Sequence, residues 1–445
     1  MSSLLTTVWR SHYMLNENSF KNAKTALLLG AYTSTKDKSL CEDNLNELER
    51  LCDTYGLAAV AKVASPVKKI DAGSYLGTGK LSEMLKAGDE LEADIILFDD
   101  EITPNQQRNL EKFFQRPVID RTELIIEVFA QRALTREARL QVELAKVKYQ
   151  LPRLKRLWTH LSRQAGSGGG GSGGAYLRGE GETQIELDRR MLKQRVLQLQ
   201  KEITVVEKQR ETQRRQRLRT GIPTFAIVGY TNAGKSTLLN ALTKADVFVE
   251  DKLFATLDTT TRKFTLPNRQ EILLVDTVGF IRKIPHTLVA AFKSTLEEAV
   301  HTDILLHLID VSNPQAELQA EATMHVLKEL KADERPIITV LNKIDAIQDR
   351  SVLHRFRLKY PKTVPISALT GEGFDPLMEQ MITEIGSLRK TYRLRIPQSH
   401  YALVSELMRE GKVIQCDYED NDILLHVEIP GRFDYKVKPF VYELI

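Results

Sequence analysis

The stretch Gly229–Ser236 reads Gly-Tyr-Thr-Asn-Ala-Gly-Lys-Ser and follows the apolar run Thr224–Val228. Such a run is typical of a buried parallel strand. The two glycines let the backbone turn tightly, so that its N–H groups can face phosphate oxygens. A helix beginning near Lys235 would add its positive N-terminal dipole, and Ser236 would add an oxygen ligand suited to Mg²⁺. Because a strand and a helix flank the stretch, it predicts a phosphate-binding loop rather than an unrelated glycine turn.

Two further motifs also follow apolar runs. The first, Asp276–Gly279 (Asp-Thr-Val-Gly), offers a carboxylate that can hold Mg²⁺ through water and a glycine N–H that can meet the γ-phosphate. The second, Asn342–Asp345 (Asn-Lys-Ile-Asp), ends on a carboxylate that can accept two hydrogen bonds from guanine. Adenine lacks one of these donors, so a buried acceptor would discriminate strongly between the bases. In this order, the three motifs predict a GTPase that hydrolyses GTP to GDP and phosphate.

Two weaker signals complete the predicted nucleotide site. We interpret Ser367–Leu369 as the loop that closes over the base. Phe254–Asp258 is the expected first switch, in which Thr256 completes the Mg²⁺ shell with Ser236, although Thr259–Thr261 compete for that role. The predicted GTP contacts are Gly229, Tyr230, Thr231, Asn232, Ala233, Gly234, Lys235, Ser236, Thr237, Phe254, Ala255, Thr256, Leu257, Asp258, Asp276, Thr277, Val278, Gly279, Asn342, Lys343, Ile344, Asp345, Ser367, Ala368 and Leu369.

Phe280 stands where many GTPases place a glutamine that orients the attacking water. A phenyl ring cannot polarise water, so we expect slow hydrolysis in the isolated protein, with Lys235 and Gly279 as the catalytic groups near the phosphates. Further help must come from another side chain, a bound cation or a partner. Asn232 is a candidate K⁺ ligand, and the alternative is that it only stabilises the turn.

The composition is that of an ordinary soluble protein. The chain has 445 residues, enough for about three domains, with 42% hydrophobic and 27% charged residues. No apolar run approaches the ~20 residues that span a bilayer, and residues 1–15 lack a signal-peptide pattern. The three cysteines lack metal-ligand spacing, so we expect them to be reduced. We therefore expect a cytoplasmic protein with no stable membrane anchor, and a monomer.

Positive charge is concentrated in one part of the chain. Residues 132–219 hold 21 Lys and Arg against 9 Asp and Glu, an excess of 12, so the remainder carries −8 of the total of +4. This asymmetry favours a polyanionic partner such as RNA over a merely solvated helix surface. The candidate RNA contacts are Arg153, Lys155, Arg156, Arg163 and Arg178.

The sequence predicts an α/β protein of four parts. Residues 1–120 alternate strand-like runs with helical spacing, which favours a parallel sheet. Residues 121–220 carry two seams of period 3.5, interrupted at Pro152 and joined by a Gly/Ser run at 166–174, and predict a basic helical hairpin. The run is interpreted either as an engineered linker or as an RNA-contacting tip. Residues 221–388 form the P-loop GTPase domain, and residues 389–445 a small α+β domain with a helix at Ser399–Arg409 and strands at Val413–Tyr418, Ile423–Ile429 and Phe433–Val437.

Longer motifs carry a resemblance to a known family. They are Pro152–Leu161, Gly179–Gln184, Phe254–Asp258 and Gly279–Arg282 running into Pro285–Phe292. Together they resemble the HflX-type GTPases of the translation-factor-related class, over nearly the whole chain.

The resemblance implies a GTPase that binds the large ribosomal subunit and its rRNA, and that splits or rescues stalled ribosomes. It implies Mg²⁺ ligation by Ser236 and Thr256. For some members it also implies use of ATP by the N-terminal domain. The alternative from the residues is a GTPase acting in ribosome assembly or RNA modification. No additional catalytic constellation for such chemistry is evident in the sequence.

Overall fold

The computed structural model describes residues 22–154, 176–220, 222–243, 252–254, 259–283, 301–430 and 433–444. These residues form two compact units. The first comprises the described residues up to Val206 together with 252–254 and 281–283. The second comprises the described residues from Glu207 to 243, then 259–280 and 301–444. Among the described helices, none is both long and apolar enough to cross a membrane.

The first unit begins with a parallel four-stranded sheet of order β2-β1-β3-β4. The strand β3 is buried along its whole length, whereas the edge strand β2 is half-buried over most of its length. The predicted alternation of strands with helices, which favoured a parallel sheet, is confirmed in the described residues between 22 and 120. The elements are β1 (Thr25–Tyr32), α1 (Lys38–Tyr55), β2 (Ala58–Pro66), α2 (Thr78–Glu90), β3 (Ile95–Phe98), α3 (Pro104–Phe114), β4 (Val118–Asp120) and α4 (Arg121–Arg132).

A buried ion pair ties α4 to this sheet. The Arg121 guanidinium donates to the Asp99 carboxylate at 2.8 Å and also pairs with Glu47. Because Asp99 follows β3 directly, the first helix after residue 120 is part of the same core as the strands. Asp99 therefore anchors a buried arginine just after the strand. The sequence-based division into four parts stays a prediction.

The hairpin seams pack together as the spacing predicts. The helix α5 (Arg136–Gln150) ends two residues before Pro152 and is followed by a 3₁₀ turn, Leu151–Arg153. The proline therefore interrupts the α-helix, as predicted. The second arm is α6 (Tyr176–Thr220). Residues 155–175, with the Gly/Ser run and the end of the first seam, lie outside the described residues. The shared core contains Leu140, Leu144, Val147, Leu154, Leu192, Leu199 and Ile203.

The second unit contains a six-stranded sheet of order β10-β9-β8-β5-β7-β6. All neighbours are parallel except β6, which runs antiparallel to β7 at the edge. The apolar runs before the three nucleotide motifs are strands, as predicted. The elements are β5 (Thr224–Gly229), α7 (Lys235–Thr243), β6 (Thr260–Thr265), β7 (Glu271–Asp276), β8 (Ile304–Asp310), α8 (Ala316–Glu329), β9 (Ile337–Asn342), α9 (Ser351–Lys359), β10 (Thr363–Pro365) and α10 (Phe374–Ser387).

An antiparallel sheet of order β12-β13-β11-β14 ends the chain. The predicted strand at Phe433–Val437 is wrong, because this segment is helical. Phe433 and Val437 are buried, whereas Tyr435 between them is 69% exposed. A strand would place all three side chains on one face, while a helix places only the first and last together. The elements are β11 (Arg389–Pro397), α11 (Tyr401–Glu410), β12 (Lys412–Glu419), β13 (Asp422–Pro430), α12 (Asp434–Val437) and β14 (Val441–Leu444).

Candidate nucleotide site

The three motifs meet at one edge of the six-stranded sheet. β5, β7 and β9 are parallel, so their carboxyl ends, where the motifs begin, lie at the same edge. The phosphate loop joins β5 to α7. Gly229 has φ +156° and Gly234 has φ +93°, so both adopt backbone that disfavours side chains. A Cβ at Gly229 would overlap the carbonyl oxygen of Leu308, and one at Gly234 would overlap the side-chain amide of Asn342.

Lys235 is held at the centre of the loop. Its ammonium donates to the carbonyl oxygens of Tyr230 at 2.8 Å and Gly229 at 3.3 Å. The side chain is only 7% exposed, and burial lowers its pKa to about 8, although the charge of Asp276 opposes this shift. A phosphate oxyanion would favour the charged ammonium. The loop therefore positions a cation whose charge is stabilised most when an anion is bound.

Ser236 and Asp276, two of the residues expected to hold Mg²⁺, are hydrogen-bonded to each other. The Ser236 hydroxyl donates to a carboxylate oxygen of Asp276 at 2.7 Å, at the N-terminus of α7. Both groups offer hard oxygen donors, which fit Mg²⁺ completed by phosphate oxygens and water. In the part of the chain that the structure describes, no group of three or more His, Cys, Asp or Glu side chains is arranged to hold a metal.

Asn342 has a role that the sequence did not predict. Its side-chain amide donates to the carbonyl oxygen of Ala233 in the phosphate loop at 2.8 Å. Its side-chain oxygen accepts from the N–H of Ala368 at 2.9 Å. One buried amide therefore joins the phosphate loop to the loop Ser367–Leu369. The sequence placed all three segments at the nucleotide, but side-chain to backbone bonds between distant loops leave no periodic signal.

In the rest of the guanine motif, Lys343 makes an ion pair within the protein, whereas the side chain of Asp345 is exposed. Lys343, at φ +64°, pairs with Asp310 at 2.7 Å, next to the end of β8. Asp345 lies in a 3₁₀ turn and its side chain is exposed rather than buried. Its expected role as the reader of guanine stays a prediction. In the closing loop, Ser367 is buried and its hydroxyl accepts from the N–H of Thr370, while Leu369 is exposed.

Phe280 is clamped to the phosphate loop by its backbone. Its N–H donates to the Gly229 carbonyl at 3.0 Å, and its carbonyl accepts from the Thr231 N–H at 2.7 Å. The ring is buried at 2% exposure. The two backbone hydrogen bonds of Phe280 therefore tie the end of the motif Asp276–Gly279 to the phosphate loop. Thr277 adds to this attachment by donating from its hydroxyl to the Ile227 carbonyl at 2.7 Å.

The segments that flank the motifs belong to the first unit. Phe254 packs there against Phe129, edge to face, with ring centroids 4.5 Å apart. The N–H of Leu253 donates to the Thr54 hydroxyl at 3.2 Å. Of the predicted first switch, residues 255–258, including Thr256, lie outside the described residues. The predicted contact of Phe254 with GTP stays a prediction.

Lys283 was not singled out from the sequence, and it makes the strongest polar contact of these segments. Its ammonium pairs with Asp99 and Asp100, and these two carboxylates raise its pKa against the opposing effect of burial. Asp100 in turn accepts from the Tyr75 hydroxyl. Three residues after Phe280, the chain is therefore bound to the carboxyl end of β3.

Of the five candidate RNA contacts, the structure describes the side chain of Arg153. The prediction for Arg153 is wrong, because its guanidinium is buried in the first unit at 5% exposure. It donates to the Ile102 carbonyl at 2.7 Å, pairs with Asp120 at 3.3 Å and lies over the Tyr149 ring. Arg153 was expected to belong to the charged surface of the hairpin, whereas its guanidinium pairs with the buried carboxylate of Asp120. Lys155, Arg156 and Arg163 lie outside the described residues, and Arg178 lies in α6.

Three family models match the chain. They are "GTP-binding GTPase N-terminal" over residues 42–130, "GTP-binding GTPase Middle Region" over residues 132–217 and "50S ribosome-binding GTPase" over residues 224–343. Together they cover β2 to β4 of the first sheet, most of the hairpin and the nucleotide motifs up to the lysine of the guanine motif.

Relatives match over most of their length. The chain is 48% identical to "GTPase HflX" of Chlamydia pneumoniae over 94% of this chain and 88% of the relative. It is 41% identical to "GTPase HflX" of Escherichia coli, over 89% and 91%. Among solved structures, a GTP-binding protein of Sulfolobus solfataricus in complex with GDP is 27% identical, with a TM-score of 0.42 over 81% of this chain and 98% of that one. The chain binds and hydrolyses GTP and belongs to the HflX family of GTPases.

Proposed function

We propose that this GTPase associates with the large ribosomal subunit in its GTP-bound form and splits or rescues stalled ribosomes in the cytoplasm. The observation that carries the proposal is the match of residues 224–343 to a 50S ribosome-binding GTPase model, on the sheet where the three nucleotide motifs meet. The excess of 12 positive charges in residues 132–219 supports an RNA-rich partner.

The nucleotide site has three tasks, which are to recognise guanine, to bind the phosphates and to detect the γ-phosphate. Asp345 accepts from guanine, and its exposure leaves the carboxylate accessible to the base. The phosphate loop holds the phosphates with its backbone N–H groups and with Lys235. Gly279 senses the γ-phosphate: a Cβ there would come within 2.9 Å of the lysine ammonium, so only glycine leaves this approach open.

Bound Mg²⁺ would be held by Ser236 and Thr256 directly and by Asp276 through water, and it would supply positive charge to the β- and γ-phosphates. The residues of this chain position the phosphates of GTP and neutralise part of their charge. The described residues of the motifs include no glutamine, and the phenyl ring of Phe280, which stands at its usual position, cannot polarise water. Hydrolysis is therefore slow in isolation and is accelerated by the ribosome, with Asn232 as a candidate K⁺ ligand beside the phosphates.

Nucleotide state is transmitted through the segments that flank the motifs. The γ-phosphate orders the loops around Thr256 and Gly279, and its loss releases them. Because 252–254 and 281–283 are both attached to the first unit, a change in either loop alters the contacts of Phe254 and Lys283. GTP binding and ribosome affinity are coupled by these contacts.

Co-sedimentation tests the proposal. The protein should pellet with large ribosomal subunits in a non-hydrolysable GTP analogue and less in GDP, and GTP should let it lower the light scattering of intact ribosomes. Binding only to immature subunits would instead support a role in assembly. Equal pelleting in both nucleotides, with no loss of scattering, would reject a GTP-dependent splitting factor.

A further inference from the structure

The hydroxyl of Thr231, in the phosphate loop, is buried without a partner. Thr231 is 6% exposed, and its Oγ1 atom makes no hydrogen bond to any of the described residues. Buried polar atoms are nearly always paired, and an orphan hydroxyl lowers the free energy of unfolding. Valine has nearly the same shape and would avoid this cost. Packing of the loop therefore gives no reason for a threonine at this position.

The backbone of Thr231 is attached to the residue that stands in the place of the usual glutamine. The Thr231 N–H donates to the Phe280 carbonyl at 2.7 Å. Many GTPases place at the position of Phe280 the glutamine that orients the attacking water. Thr231 is therefore a direct hydrogen-bonding neighbour of the position from which that glutamine would act.

Thr231 also borders the space that the γ-phosphate is expected to enter. A Cβ at Gly279 would come within 2.8 Å of the Cα and Cγ2 atoms of Thr231 and within 2.9 Å of the Lys235 ammonium. The Gly279 N–H and the Lys235 ammonium are the groups expected at the γ-phosphate. Three residues therefore converge on one point, and the part of the Thr231 side chain nearest to it is the methyl group.

Rotation about one bond brings the Thr231 hydroxyl to this point. Threonine side chains occupy staggered rotamers, so a turn of about 120° about the Cα–Cβ bond moves Oγ1 to the position of Cγ2. The hydroxyl then leaves a place where it has no partner for one beside the γ-phosphate and its attacking water. Binding of GTP thus offers this orphan group a hydrogen bond that the described residues do not supply.

We propose that Thr231 is a catalytic residue, whose hydroxyl turns towards the γ-phosphate when GTP binds and accepts a hydrogen bond from the attacking water. The water oxygen forms a bond to the γ-phosphorus, the bond from this phosphorus to the bridging oxygen breaks, and GDP leaves with the electron pair. The water proton passes to an oxygen of the γ-phosphate, and the threonine keeps its own proton.

This role of Thr231 rests on the proposed function, in which hydrolysis is slow in isolation and is accelerated by the ribosome. A single hydroxyl orients water less firmly than a glutamine side chain, which offers both a donor and an acceptor. A threonine in place of that glutamine therefore supports turnover of GTP but leaves room for stimulation by a partner.

Single-turnover hydrolysis of GTP by the full-length protein tests this role. Thr231→Val removes the hydroxyl and keeps the shape, so the rate should fall about 10-fold, the loss expected for one hydrogen bond made in the transition state. Its affinities for GDP and for a non-hydrolysable GTP analogue should change less than about 2-fold, and its melting temperature should not fall. Thr231→Ser keeps the hydroxyl and should stay within about 3-fold of the parental rate.

Thr323→Val is the matched control. Thr323 is also buried, but it lies in α8 outside the nucleotide site, and its hydroxyl donates to the Gln319 carbonyl at 3.0 Å. The control should lower the melting temperature, because it deletes a hydrogen bond that is made in the fold, and it should hydrolyse GTP at the parental rate.

Parental hydrolysis by Thr231→Val would overturn the proposal. Equal losses of rate in Thr231→Val and Thr231→Ser would assign the effect to packing of the loop, and an equal loss of affinity for the GTP analogue would assign the hydroxyl to binding. Either result also overturns it. The rates are measured again with large ribosomal subunits. A parent without stimulation would reject the ribosome as the trigger, whereas a slow Thr231→Val variant without subunits would still support the catalytic threonine.

Discussion

The side-chain amide of Asn342 donates to the carbonyl oxygen of Ala233 at 2.8 Å, so the first residue of the guanine motif braces the phosphate loop. The same side chain accepts from the loop after β10, at the N–H of Ala368. Base recognition and phosphate binding therefore share one buried amide. A change at this position acts on both halves of the site, even though the amide itself is bonded to protein.

The first prediction concerns this brace. Asn342→Asp keeps an acceptor for Ala368 but loses the donor to Ala233, whereas Asn342→Ala loses both bonds. A buried carbonyl left unpaired costs about 1–3 kcal/mol, so Asn342→Asp should weaken GTP binding about 10-fold or more. Isothermal titration with GTP and GDP measures the effect. Asn268→Ala, in an exposed turn, is the control and should bind like the parent. Parental affinity in both Asn342 variants would show that the brace is dispensable.

The second prediction concerns the base. Asp345→Asn replaces an acceptor pair by one donor and one acceptor, so it should weaken GTP binding at least about 10-fold and favour xanthine nucleotides. Asp345 is exposed, and the fold should be unaffected. Competition of GTP and XTP for a fluorescent nucleotide decides the matter. If the variant binds GTP as tightly as the parent does, Asp345 is not the guanine reader.

The fold followed from the sequence wherever one segment carried its own signal. Apolar runs before glycine-rich or acidic motifs gave the strands β5, β7 and β9, and the 3.5-residue seams gave the hairpin core. Side chains that act across long sequence separations were missed. Arg153 looked like a free surface charge, yet it neutralises Asp120, 33 residues earlier. Neither periodicity nor composition encodes such a partner, because it exists only once the core has formed.

The third prediction concerns Lys283, which attaches the segment after Phe280 to the first unit. Lys283→Gln removes the cation shared by Asp99 and Asp100 and leaves Asp99, at 2% exposure, with Arg121 alone. Breaking a buried pair costs about 3–5 kcal/mol, and the partial exposure of Lys283 should lower this to about 1–3 kcal/mol. Urea unfolding of the N-terminal part, followed by hydrogen exchange, measures the loss.

Lys80→Gln is the control for this variant, because it lies in the same unit. It breaks an ion pair of 2.7 Å with Glu83, but both side chains are about half exposed, so the loss should be below about 1 kcal/mol. Similar losses in the two variants would mean that Lys283 is an ordinary surface charge and does not anchor the segment after Phe280.

The fourth prediction concerns His307, which is fully buried in β8. Burial lowers its pKa to about 4, against about 6.5 in the unfolded chain, so the unfolded state binds the proton more tightly. Above pH 6.5 the ring is neutral in the folded and the unfolded protein, and the free energy of unfolding keeps its full value. It falls as the pH drops from 6.5 towards 4, by about 3 kcal/mol in all. His307→Leu should flatten this part of the stability profile. Thermal unfolding at pH 7.5, 6 and 5 makes the comparison, and an unchanged slope in the variant would contradict a neutral, buried histidine.

The last prediction concerns the cation. Asn232 adopts φ +62°, a left-handed conformation that asparagine tolerates and glycine prefers. Asn232→Gly should therefore preserve the loop while removing the side-chain oxygen. If that oxygen ligates K⁺, hydrolysis by the parent should be several-fold faster in KCl than in NaCl, and the glycine variant should respond equally to both salts. Single-turnover phosphate release, with and without large ribosomal subunits, separates this effect from the partner's. A glycine variant that keeps the preference for K⁺ would show that Asn232 only shapes the turn. A parent with equal rates in the presence and absence of subunits would remove the ribosome as the trigger, and catalytic help would then have to come from side chains of this chain or from a bound cation.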